Sequence, residues 1–194
     1  ASNVSTRPTG WQIGGDASVT GGLLQLNPAR GLFEGSKSGY LVLPALGTTS
    51  PSAFSVNFDY EASNEIDDGR GTTLSYGLIS SSPTVGDFGH LLAASGTAGG
   101  TGLAITFEED NGADVHVYFN GSHLASVVAP STNFFVNGSK NFKVTMTEAG
   151  YLTLTVDSTD IIKNLLVSGY TSADKSAWKF GFGAIADNGF SSHT

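Results

Sequence analysis

Hydrophobic and polar positions alternate along most of this chain with a period of two. Phe54, Val56, Phe58 and Tyr60 are interleaved with Ser55, Asn57 and Asp59. The pattern recurs at Phe142, Val144 and Met146, at Leu152, Leu154 and Val156, and at Trp178, Phe180, Phe182 and Ala184. Successive side chains of an extended backbone point to opposite faces, so each run predicts a strand with one buried face. Glu148-Ala149-Gly150 sits between two of these runs and predicts a hairpin turn, with Gly free to take positive φ. Further strands are expected at residues 17–20, 23–26, 40–43, 72–79, 103–108, 115–119 and 123–128. Asn120-Gly121 separates the last two and is a strong two-residue hairpin signal, and Thr20-Gly21-Gly22 predicts another tight turn. No 3.6-residue period is sustained, and the best helical candidate is the short stretch 160–166. About a dozen strands without crossover helices predict an all-β, two-sheet antiparallel sandwich.

Composition narrows this picture. The 194 residues fit one undivided domain, 1–194. The 26 glycines suit short strands joined by many turns. A net charge of −8, with nine basic residues scattered along the chain, argues against a nucleic-acid partner. No cysteine is present, which excludes disulfides, thiol nucleophiles and thiolate metal sites. No apolar run approaches the roughly 18 residues that span a bilayer, so membrane insertion is not expected. A chain that begins at Ala1 without Met is expected to be a mature form or an excised domain. The Gly/Ala/Ser/Thr-rich stretch 93–102 reads as a surface loop, a candidate to face a ligand.

Candidate chemistry clusters in turns. Glu108-Glu109-Asp110-Asn111, followed by Asp114 and His116, offers hard oxygen donors at short spacing that could bind Ca²⁺. A solvated acidic turn explains the same residues. Gly86-Asp87-Phe88-Gly89-His90 is a Gly-rich turn whose backbone amides could approach a ligand, with Phe88 either facing that ligand or folded inward as a loop anchor. Asp187, Asn188 and Phe190 combine polar groups with an aromatic, and are also an ordinary turn. Arg70 could pair with a carboxylate or sulfate, or be a plain surface residue. Catalytic signatures are missing. No serine lies in Gly-x-Ser-x-Gly, and His90, His116, His123 and His193 show no zinc spacing. Asp59-Tyr60-Glu61 lacks the third acid of a compact glycosidase strand. The Asn3, Asn120 and Asn137 sequons carry little weight in so Ser-rich a chain.

Several of these stretches resemble the concanavalin A-like (L-type lectin) domains of bacterial extracellular proteins. Residues 178–193 are similar to that family's Gly-Phe-Gly-Ala strand, binding-face loop and closing histidine. Leu103-Ala104-Ile105-Thr106-Phe107-Glu108 resembles its metal-binding strand, and Thr72-Thr73-Leu74-Ser75-Tyr76-Gly77 resembles the strand after its sugar-contacting Asp. The resemblance implies a jelly-roll sandwich and a metal set of Glu108, Asp110, Asn111, Asp114 and His116. Thr106 stands where the family has Glu, and Glu108 where it has Asp, so at most one Ca²⁺ is implied. It also implies ligand contacts from Asp68, Arg70, Asp87, Phe88, Gly89, Asn111, Asp187, Asn188 and Phe190, with Arg70 in the place of the sugar-binding Asp. In the family the late histidine opens a final strand that pairs with the chain start. Here the sequence stops at His193-Thr194, so the final strand is expected to be missing by truncation of a longer protein or to be supplied from elsewhere, and a missing strand would leave an unpaired edge open to self-association.

The function these readings favour is a non-catalytic carbohydrate-binding or adhesion domain at the cell surface or outside the cell, partnered by a glycan or glycosylated surface. The alternative is a structural subunit of a surface layer, filament or virion. A glycan-cleaving enzyme is the weakest fit.

Overall fold

The computed structural model describes residues 9–21, 23–26, 37–45, 51–63, 69–83, 101–108, 114–128, 138–186 and 192–193. Fifteen strands lie among them, in chain order β1 (Gln12–Gly15), β2 (Ser18–Thr20), β3 (Leu23–Gln25), β4 (Lys37–Val42), β5 (Phe54–Tyr60), β6 (Ala62–Ser63), β7 (Gly69–Gly77), β8 (Gly102–Glu108), β9 (Asp114–Phe119), β10 (Ser122–Val128), β11 (Lys140–Met146), β12 (Tyr151–Val156), β13 (Thr159–Leu166), β14 (Lys179–Ala186) and β15 (Ser192–His193). There is no helix among the described residues, and hence none long and apolar enough to cross a membrane.

The strands build two main antiparallel sheets, as the alternating pattern requires. One has seven strands in the order β1-β4-β14-β7-β8-β9-β10, and the other four in the order β13-β12-β11-β5. Two-stranded ladders β2–β3 and β6–β15 complete the set. The two main sheets bury their apolar faces against each other. Leu74, Tyr76, Ile105, Phe107, Val115 and Val117 from the larger sheet join Phe142, Val144, Met146, Leu152 and Leu154 from the smaller in one core. Rings interlock across the gap: Phe107 and Phe142 have centroids 4.8 Å apart, Phe58 and Phe182 5.1 Å, both edge-to-face. That geometry aligns ring edges with the electron-rich faces and adds to the area burial.

Three turns follow the sequence reading. Asn120 (φ 48°) and Gly121 (φ 77°) both adopt the left-handed conformation that a two-residue hairpin needs. At Thr147–Gly150 the Gly150 amide donates to the Thr147 carbonyl at 3.0 Å, and Gly150 takes φ 82°. β2 and β3 pair with Thr20 opposite Leu23, and Gly21 takes φ 61° after Thr20. One expectation is overturned. Residues 160–166 are not helical but form β13, paired with β12. Register shifts on both sides of Leu154, with Asn164 at φ 51°, interrupt the period of two. They leave Ile161, Ile162 and Leu165 packed against the core at a spacing that imitates a helix.

The chain ends differ from expectation too. β15 pairs with β6, and the first strand, β1, pairs with β4. Near residue 170 the chain wraps over the end of the core. Tyr170 and Trp178 are buried, and the Lys175 ammonium lies 4.5 Å over the Tyr170 ring while donating to the Ala173 carbonyl at 3.0 Å. An apolar cavity of about 310 Å³ lies among Trp11, Val19, Leu24, Leu41, Phe58 and Phe182, with Asp59 and Glu61 as its charged lining.

Candidate functional site

The register of the seven-stranded sheet decides which loops meet. Ala186, the end of β14, stands opposite Gly69, the start of β7. Thr72 stands opposite Phe107, and Glu108, the end of β8, opposite Asp114, the start of β9. The strand ends that flank three of the four expected binding segments, Gly69, Glu108 with Asp114, and Ala186, therefore lie at one end of the sheet. The fourth, 86–90, belongs to a connection that leaves near Gly77 and re-enters at Gly102, which are paired at the opposite end. Its first described residues turn back over the outer face of the sheet. Ile79 packs on Val42 and Tyr40, and Gln12 Nε2 donates to the Ser81 carbonyl at 3.3 Å.

Of the expected site residues, Asp68, Asp87, Phe88, Gly89, Asp110, Asn111, Asp187, Asn188 and Phe190 lie outside the described residues. Arg70 is the second residue of β7. Gly71 follows it at φ 106°, and a Cβ there would run into the Phe107 carbonyl, so only glycine lets β7 pass so close to β8. Glu108, Asp114 and His116 come together at the β8–β9 end, with Glu108 Oε2 3.6 Å from His116 Nε2. By themselves they do not form an ion site: no group of three or more His, Cys, Asp or Glu able to hold a metal occurs among the described residues. Thr106, opposite His116, supplies a hydroxyl where the resembled family has a carboxylate.

The outer face of this sheet has a low floor. Reading across the strands, Gly183, Thr73, Thr106 and His116 fall in one register row, and Gly181, Ser75, Ala104, Tyr118 and His123 in the next. Thr73 and Thr106 are fully buried there, and neither hydroxyl has a hydrogen-bond partner among the described residues. At the β9–β10 side stands a group that sequence reasoning missed. His116 Nδ1 lies 3.3 Å from His123 Nε2, and the Tyr118 ring packs edge-on to His123 with centroids 5.1 Å apart. Burial pushes the Tyr118 phenol above its usual range, and the nearby Glu108 charge pushes the same way. The signal was in the chain: a two-residue turn at 120–121 puts 118 opposite 123, and 116 on the same face as 118.

This architecture, two antiparallel sheets packed face to face, is the concanavalin A-like lectin fold. Among solved structures it is similar to the Emp46p carbohydrate recognition domain, with TM-score 0.71 and 17% identity over 95% of this chain and 84% of that one. It is also similar to lectin II from Ulex europaeus, with TM-score 0.72 and 16% identity over 95% of this chain and 89% of that one. The VIP36 exoplasmic/lumenal domain, in its Ca²⁺/Man3GlcNAc-bound form, superposes with TM-score 0.66 and 18% identity over 95% of this chain and 80% of that one. No protein-family profile matches the sequence, and no curated protein matches it significantly.

Proposed function

We propose that this protein is a non-catalytic, lectin-type carbohydrate-binding domain acting on a glycosylated surface outside the cytosol. The observation that supports the reading is that β7 begins, β8 ends, β9 begins and β14 ends at one end of the larger sheet, so the chain at Gly69, Glu108, Asp114 and Ala186 meets the sheet there. The segments 67–70, 108–114 and 187–192 hold Asp68, Arg70, Asp110, Asn111, Asp187, Asn188 and Phe190, a mixture of hydrogen-bonding groups and an aromatic ring that suits hydroxyl-rich ligands. Asp87, Phe88 and Gly89 would approach from the opposite connection. Arg70 adds a fork of donors that favours a glycan bearing a carboxylate or sulfate. A Ca²⁺ in the acidic turn would be held by Asp110, Asn111 and Asp114 with Glu108, and would order that loop.

A glycan array tests this, run with Ca²⁺ and again with chelator. Binding to a defined set of glycans, weakened at least tenfold by Asp187→Ala or Asn188→Ala, supports it. Silence in both buffers with a folded protein overturns it. Signal lost on chelation assigns the ion its ordering role, and signal retained removes Ca²⁺ from the proposal.

A further inference from the structure

The His116–His123 pair is not part of the loop rim, and its geometry is that of a chelate. We propose that it binds a divalent first-row transition ion, with Zn²⁺ as the reference, through His116 Nδ1 and His123 Nε2. Two nitrogens 3.3 Å apart, each about 2.0–2.1 Å from an ion, subtend roughly 105–110° at it, the tetrahedral angle zinc prefers. Both rings belong to the outer face of the β9–β10 hairpin, where His123 is exposed and the His116 side chain is 20% exposed, so an ion can enter from solvent.

Glu108 sits on the far side of His116. Its carboxylate, 3.6 Å from Nε2, favours the tautomer that keeps the proton there and leaves the Nδ1 lone pair facing His123. A carboxylate behind a ligating imidazole orients the ring and raises its basicity, which makes Glu108 a positioning residue. With that tautomer, the Nδ1 lone pair of the metal-free protein would accept from His123 Nε2–H across the 3.3 Å contact. The ion takes the place of that proton, which moves to His123 Nδ1. Two protein ligands leave the remaining coordination positions to water or to a donor group brought by a partner.

The site borders the acidic turn, sharing His116 and Glu108 with the set expected there, but its second ligand comes from the neighbouring strand. It uses the strand β10, needs neither Asp110 nor Asn111, and takes nitrogen donors that suit Zn²⁺, Ni²⁺ and Cu²⁺ and exclude Ca²⁺. It does not depend on glycan recognition.

The test is calorimetric titration of the whole chain with ZnCl₂ at neutral pH, followed by CaCl₂ competition. One zinc per chain is expected, and Ca²⁺ should not displace it from the two imidazoles. His123→Ala and His123→Gln should each weaken it at least tenfold, and Glu108→Gln about tenfold or more through the ring it positions. A His90→Ala/His193→Ala variant controls for the other histidines and should bind as before. Imidazole proton resonances of His116 and His123 should shift together on zinc addition. Absence of zinc binding, or binding unchanged in both His123 variants, overturns the assignment.

Discussion

At the scale of single residues, the core is defined as much by what it leaves unsatisfied as by what it packs. Tyr170 is fully buried and its hydroxyl has no hydrogen-bond partner. Burial, with a smaller contribution from Tyr76, pushes its phenol far above the usual range. In the unfolded chain that group ionises near pH 10. The folded state thus holds a proton which the unfolded state releases, and stability is lost as the pH rises beyond about 10. Tyr170→Phe removes an unpartnered polar atom while keeping the ring under the Lys175 ammonium. It should leave stability at pH 7 unchanged or raised by about 1 kcal/mol. It should also flatten the loss of stability in urea melts repeated at pH 10.5. A marked loss at pH 7 would mean that the hydroxyl has a partner after all.

At the scale of elements, turns fix the registers. β12 and β13 are joined at Asp157-Ser158, both left-handed at φ 46° and 70° without a glycine. The Asp157 carboxylate makes this tolerable by accepting from the Asn141 amide and the Lys140 ammonium, each at 2.9 Å. The Lys140 hydrogen bond, then the Asn141 amide, hold its carboxyl below the usual range. Its contribution is therefore present above the ordinary carboxylate pKa and disappears as the pH falls through the lower folded value. Asp157→Asn keeps the left-handed tolerance but loses the charge. It should lower the melting temperature at pH 7 and converge with the parent chain in strong acid.

Turns also show what was legible from sequence. Asn120-Gly121 and Glu148-Ala149-Gly150 carry glycine where φ must be positive, so those hairpins could be read directly. Asp157-Ser158 could not, since its turn chemistry rests on contacts with β11. β13 was misread because its bulges shift inward positions by one residue, which no local pattern reports. Of the residues expected at a metal site, Glu108 and Asp114 are register partners and Glu108 Oε2 lies 3.6 Å from His116 Nε2. His123 was missed by a search along the chain, because the two imidazoles meet across the hairpin and show only once the 120–121 turn is used to set the register.

At the scale of the whole molecule, the larger sheet ends in β10, Ser-His-Leu-Ala-Ser-Val-Val, a strand without a single Lys, Arg, Asp or Glu. Natural sheets blunt such borders with charge, and here Val128 is 75% exposed. Sedimentation velocity at rising concentration should show self-association, and Val128→Lys should reduce it without altering the melting temperature. A sedimentation coefficient that does not change with concentration would mean the border is inert. The Lys175 ammonium, tucked under the turn that seals one end of the two layers, gives the molecule a built-in clock. Its acylation must wait for that seal to lift, whereas amines such as Lys163 react at once. Timed amine labelling read by mass spectrometry would thus report how often the layers part, without any engineered probe.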